Sequence, residues 1–279
     1  MTVRATDRAT VRETDPVLTN LLDAALRDPG LAELAEAWRN RRPGPWNVIG
    51  PTDSQKAFLG MALARKTGLV PCFLVSDDLR ARALAEDLRA FTSGDVGLFR
   101  QREIQLTEAD ATSHGVERER IGVLSRLLAG EWAAVVMTAV GAMQKLPPVD
   151  RFRESTISLS VGDRMDPGVL SERLAATGYE RVVMVEGPGQ YSLRGDVLDV
   201  TPVGFPGAED PDGRGVRIGF FDDEVDSIRT FEIQGQRSSD PLGRVSVPPA
   251  RELLVPEDRT ALAALAARVL DSLENEPLS

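Results

Sequence analysis

Apolar positions along the chain follow two rhythms. After a polar opening stretch of mixed charge, Leu18, Leu21, Leu22, Ala25 and Leu26 recur at helical spacing, and Asp28-Pro29-Gly30 closes the pattern. Leu31, Leu34, Ala35 and Trp38 predict a second short helix before the break at Arg41-Arg42-Pro43-Gly44-Pro45. Short apolar runs at 46–50, 70–75, 96–99 and 132–138 then read as strands, and 54–67, 77–90 and 117–128 as helices. Asp77 or Asp78 is suited to cap the middle helix. Strands that alternate with helices predict a parallel sheet with helices on its faces.

The rhythm changes after Pro147-Pro148. Residues 156–161 alternate as a half-buried strand, and Asp166-Pro167 opens a helix that runs to 176. Past Gly178 strands dominate, at 181–185, 190–194, 197–201, 216–221 and 225–231, with Gly, Pro and Asp in the turns. From Pro248 a helix is expected, with Leu262, Leu265, Ala266 and Leu270 on one face. The expected organisation is a disordered leader (1–17), the first part of an α/β domain (18–149), an inserted α+β domain (150–243), and a helical tail returning to the first domain (244–279). The end of the chain carries no structural stop, so it is expected to be a piece of something longer.

Composition narrows the function. The chain has 279 residues, with 42% hydrophobic and 27% charged, ordinary values for a globular protein of about two domains. A net charge of −10 disfavours non-specific nucleic-acid binding, which needs Lys and Arg to neutralise phosphates. The single cysteine, Cys72, forms no intrachain disulfide, which fits a cytoplasmic location. With the single histidine, His114, it supplies too few ligands for a zinc site. No apolar run reaches the length of a membrane span.

One motif carries recognisable chemistry. Gly50-Pro51-Thr52-Asp53-Ser54-Gln55-Lys56-Ala57 sits where a phosphate loop of pattern GxxxxGK[ST] belongs, after a predicted strand and at the start of a helix. Gly50 and Lys56 are in register. Gln55 replaces the second glycine, which lets backbone approach phosphates, and Ala57 replaces the hydroxyl that binds magnesium. Both losses weaken nucleotide binding and abolish hydrolysis. Read alone, the motif fits a chance match as well as a remnant. The acidic run Phe221-Asp222-Asp223-Glu224 reads as a hairpin turn and not as a magnesium site.

Other candidates have plain structural readings. His114 is expected in a solvated loop or at a helix cap, and Cys72 as a small buried hydrophobe. Glu103, Glu108 and Asp110 read as a solvated face. Arg181 and Arg194 fall on predicted strands beside the chain's two tyrosines, Tyr179 and Tyr191. Exposed Arg and Tyr on a sheet are residue types that anchor protein interfaces, and surface salt bridges are the alternative.

A set of blocks, in order, carries a resemblance. They are Leu146-Pro147-Pro148; Gly178-Tyr179-Glu180-Arg181-Val182; Tyr191-Ser192-Leu193-Arg194-Gly195-Asp196-Val197-Leu198-Asp199-Val200; Phe220-Phe221-Asp222-Asp223-Glu224-Val225-Asp226-Ser227-Ile228-Arg229; Gln236-Arg237-Ser238; and Pro249-Ala250-Arg251-Glu252. From about residue 20 to 255 the chain resembles the N-terminal region of bacterial transcription-repair coupling factor (Mfd), itself similar to the excision-repair protein UvrB.

The resemblance implies a RecA-like parallel-sheet domain with a degenerate P-loop, interrupted by an inserted α+β UvrA-interaction domain. It implies an adaptor that recruits UvrA to stalled RNA polymerase and does not hydrolyse ATP. No cofactor is expected here; ATP and magnesium belong to the motor of the full-length family. RNA polymerase and DNA would be reached through domains outside these residues. The UvrA face is expected at Arg181, Arg194, Tyr179, Tyr191 and Thr201. Threonine at 201 departs from the bulky apolar or aromatic residue common there. No tyrosine lies between Phe99 and Glu117, where UvrB carries a tyrosine-rich DNA-gripping hairpin. The competing reading is a UvrB-like nucleotide-dependent domain that processes damaged DNA.

Overall fold

The computed structural model describes residues 15–42, 44–102, 110–208 and 213–252, together with 263 and 267. Over 110–114 it describes the backbone alone. The chain divides into two compact units, 1–145 and 146–279.

In the first unit, helices start where an acidic or hydroxyl side chain can satisfy free N–H groups. Asp15 caps α1 (Pro16–Ala25) and Asp28 caps α2 (Pro29–Arg39), each with proline in the first turn. Helix α3 (Asp53–Thr67) starts at a capping box and ends at Gly68, whose φ of +71° suits glycine. Asp77 caps α4 (Asp78–Ala90). Strands β1 (Cys72–Val75), β2 (Val96–Phe99) and β3 (Ala134–Thr138) form a parallel sheet in the order β1-β3-β2, with α5 (Asp110–Ala129) crossing between β2 and β3. The short α6 (Ala139–Met143) follows β3.

The core packs Leu31, Leu34, Ala57, Met61, Leu84 and Leu88 from the helices with Val96 and Val136 from the sheet. On another side of the sheet, Phe99 and Val135 meet Val123 of α5. The guanidinium of buried Arg120 lies over the Phe99 ring at 4.1 Å and donates to the Arg100 carbonyl at 2.6 Å.

The second unit is built on a six-stranded sheet in the order β10-β9-β8-β7-β6-β5. Its strands are β5 (Glu180–Arg181), β6 (Gln190–Arg194), β7 (Val197–Val200), β8 (Arg214–Phe221), β9 (Glu224–Glu232) and β10 (Ser238–Pro241). Every pairing is antiparallel except β5 with β6. Helix α8 (Pro167–Ala176), capped by Asp166, packs on β5 and β6. A short α7 (Val149–Glu154) precedes β4 (Ile157–Ser160), which pairs with β11 (Arg244–Val247). Strands β8 and β9 close at Asp222-Asp223, with Asp222 at φ +58°, so the acidic run is a hairpin turn as expected.

Several expectations change. Residues 46–50 form no strand: Trp46, Val48 and Ile49 are 42%, 52% and 86% exposed, and a strand without a hydrogen-bonded neighbour has no ladder to hold it. The strand expected over 181–185 ends at Arg181; beyond it the Val182 amide donates to the Tyr191 carbonyl at 2.9 Å and the Ser192 hydroxyl to the Val183 carbonyl at 2.9 Å. Residues 244–247, expected in a return to the first domain, pair with β4 inside the second unit. Residues 248–252 are not helical, and the rest of the expected tail lies outside the described residues except for 263 and 267, both helical. Helix α5 starts at Asp110, so the His114 backbone lies within a helix and not a loop. Cys72 is exposed and not buried: β1 alternates exposed and half-buried residues, and Cys72 takes an outward position. Glu103 and Glu108 lie outside the described residues, as do the side chains of Asp110 and His114. Among the described residues no helix is long and apolar enough to cross a membrane.

Candidate functional site

At the expected phosphate loop, helix α3 has filled its own N-terminus. The Thr52 Oγ1 accepts from the Gln55 amide at 3.4 Å, and Gln55 Oε1 accepts from the Thr52 amide at 2.9 Å. These are the donors that a phosphate would claim. Lys56 Nζ donates to Asp53 Oδ1 at 2.7 Å, and that bond holds the Asp53 carboxyl below its ordinary value. The Ser54 hydroxyl donates to Asp87 at 2.9 Å. Ala57 is fully buried in the core, so the position of the missing hydroxyl residue faces packing. Gly50 keeps a glycine-type φ of +101°. The neighbouring cavity, about 620 Å³, is lined by Trp46, Val48, Ile49, Phe58 and Leu59 together with Asp28 and Glu33, and among its described lining residues it offers a phosphate no Lys or Arg.

In the second unit, the five residues expected at a UvrA face separate into two groups. Arg181 and Arg194 are exposed. Tyr179, Tyr191 and Thr201 are not: they are 4%, 2% and 0% exposed. The Tyr179 hydroxyl donates to the Pro248 carbonyl at 2.8 Å and accepts from the Val203 amide at 3.2 Å, which ties β5 to the segment after β11. The Tyr191 hydroxyl meets Ser171 of α8 at 3.1 Å. Both tyrosines are therefore core residues whose polar ends are satisfied internally, and the expectation of exposed tyrosine anchors is corrected. Thr201 is enclosed beside Gly215, and among the described residues its Oγ1 has no hydrogen-bond partner.

The two arginines also part company. Arg181 pairs with Tyr191 across β5 and β6 and shares its face. Arg194 lies three residues beyond Tyr191 on β6, so the pleat turns it to the opposite face. There it meets Asp199, which is 2% exposed, at 2.9 Å. Asp199 is gripped from β8 by Arg217, whose Nε and Nη2 reach its two oxygens at 2.7 and 2.9 Å. That bond raises the Arg217 guanidinium above its ordinary value. Arg217 also donates to the Gln236 carbonyl at 3.2 Å and the Ser238 hydroxyl at 3.1 Å, and lies 5.0 Å from the Phe231 ring centre. Just after Arg181 in the chain, Val183 and Met184 are 88% and 49% exposed. Each face of the sheet therefore carries one exposed guanidinium, and that of Arg194 is a fork suited to a carboxylate on a partner surface. Sequence reasoning missed Asp199, Arg217, Val183 and Met184.

Comparison with known proteins matches residues 157–253 to the family described as the UvrB interaction domain, the stretch that holds this sheet. Across 76% of its length the chain is 35% identical to the transcription-repair-coupling factor of Bacillus subtilis, and across 78% it is 33% identical to that of Myxococcus xanthus. The chain belongs to the transcription-repair-coupling factor family. The aligned stretch spans 18% of each of these two relatives. The matched domain runs from β4 through β11 and ends at residue 253, so the strand pair β4–β11 lies within it. That agrees with placing 244–247 in the second unit.

Proposed function

We propose that this chain is an adaptor module of transcription-coupled repair, whose second unit docks UvrA. The observation that carries the reading is the coincidence of the UvrB interaction domain match with a sheet that exposes Arg181 and Arg194. In this reading the first unit is a RecA-like domain inherited from a UvrB-like ancestor, and the docking domain follows it along the chain. Its phosphate loop is a relic: the capping box, the Lys56–Asp53 pair and buried Ala57 occupy the positions that nucleotide and magnesium would need. The chain works without a cofactor and does not hydrolyse ATP. RNA polymerase and DNA are engaged by other parts of the full-length protein, in the cytoplasm.

Two assays test this. Capture of purified UvrA by the immobilised chain is expected, and its failure overturns the adaptor reading. A fluorescent-ATP titration with magnesium is expected to show no saturation in the micromolar range. Micromolar affinity would instead support the UvrB-like nucleotide-dependent alternative.

A further inference from the structure

A carboxylate inside a strand needs a reason. Asp199 sits between Leu198 and Val200, all three buried, and such a charge is costly unless paired and hydrogen-bonded. Its two arginine partners are engaged very differently. Arg217 is used up internally: its Nε, Nη1 and Nη2 make four hydrogen bonds to Asp199, Gln236 and Ser238, and its side chain is only 24% exposed. Arg194 has a side chain 54% exposed and, among the described residues, a single bond, from Nη2 to Asp199 Oδ2. A guanidinium has five N–H donors, so most of the Arg194 fork is left over. One carboxylate facing two guanidiniums leaves a net positive charge at that point. Arg229, exposed and opposite Arg217 in register, adds to it.

We propose that Asp199 is a positioning residue, held by Arg217, that fixes the guanidinium of Arg194 so its free donors receive a carboxylate of the docking partner. The inference rests on the UvrA-docking reading and names the group that the site takes. A free arginine loses rotamer freedom when it docks, whereas one already pinned through Nη2 loses less. The remaining edge of the fork matches a carboxylate in bidentate geometry. A phosphodiester has similar oxygens, but a chain with net charge −10 repels nucleic acid.

The test measures UvrA affinity of the whole chain for wild type, R194A, D199N and D199N/R194A, with a melting temperature for each. R194A is expected to weaken binding about five- to thirtyfold, the range of an interface anchor. D199N, which keeps Arg194, is expected to lose a comparable factor, and the double variant to be no weaker than R194A within about twofold, as for residues acting as one unit. Should D199N prove unfolded, D199N/R217Q replaces the buried ionic pair by a neutral amide pair and carries the same expectation. Wild-type affinity in D199N with R194A weakened overturns the positioning role alone, as does a loss that multiplies with that of R194A. Wild-type affinity in R194A removes Arg194 as an anchor and the proposal with it, while UvrA docking stands. No UvrA binding by the wild type removes the docking reading itself. A duplex-DNA affinity that falls in R194A and D199N while UvrA binding does not assigns the fork to phosphate and overturns the carboxylate.

Discussion

Tyr179→Phe separates a core tyrosine from an interface anchor. The substitution keeps the ring and removes one hydroxyl. That hydroxyl donates to the Pro248 carbonyl and accepts from the Val203 amide, in surroundings where Tyr179 is 4% exposed. Its loss leaves a buried C=O and a buried N–H without their partner. Each orphaned group costs about 1–2 kcal/mol, so the second unit is expected to lose about 2–4 kcal/mol. For a unit of this size that corresponds to about 6–12 °C in melting temperature. Scanning calorimetry reads the shift. UvrA affinity is read at a temperature where the variant is fully folded, and is expected to match wild type because the hydroxyl faces inward. An unchanged melting temperature would refute the internal bonding. Weakened UvrA binding by a fully folded variant would return Tyr179 to the interface.

Three further outcomes follow from the same reasoning. Thr201→Val removes a buried hydroxyl that has no partner among the described residues and is expected to stabilise the second unit by about 1 kcal/mol in urea unfolding, whereas a loss would reveal a bond to Oγ1. Restoring the loop pattern with Gln55→Gly and Ala57→Thr breaks the capping box and overfills a fully buried site. It is expected to cost the first unit about 2–4 kcal/mol without creating micromolar ATP affinity, as read by urea unfolding and ATP titration. The Asp77 carboxyl, which caps α4, is held below its ordinary value by the Ser76 hydroxyl and the Arg80 amide. A folded-state value below the unfolded one means that its contribution is complete above about pH 4 and is lost as pH falls through the folded value. Asp77→Asn keeps a capping oxygen but is expected to flatten that part of the acid-unfolding profile, and an unchanged profile would contradict it.

Local chemistry made much of the fold legible. Asp77, Asp166 and Thr52 precede apolar helical patterns and cap α4, α8 and α3. Strand β6 follows its sequence pattern residue for residue, and the hairpin at Asp222-Asp223 sits between two apolar alternations. What failed depended on neighbours distant in sequence. Residues 46–50 have strand composition, yet a strand exists only with a partner. Cys72 looked buried because its segment is apolar, but the alternation of β1 turns it outward. Tyr179 and Tyr191 looked like surface anchors because tyrosine is amphipathic, and only Pro248 and Ser171, far along the chain or on another element, show where the hydroxyls go. Asp199 did leave a signal: an acid flanked by Leu198 and Val200 in a strand demands a buried cation. Its partner Arg217 lies one strand away, beyond what spacing reveals.

The central claim is tested most directly by a calorimetric titration of UvrA into the intact chain, beside the Arg181→Ala/Arg194→Ala double variant. Arg217 keeps the buried Asp199 carboxylate paired when Arg194 is removed, so the variant should still fold, as a melting temperature taken beside the titration checks. Saturable binding by the wild type, weakened at least about tenfold in the variant, is the expected result. Equal binding by a folded variant would take the arginines out of the interface, and no binding by the wild type would contradict the adaptor account.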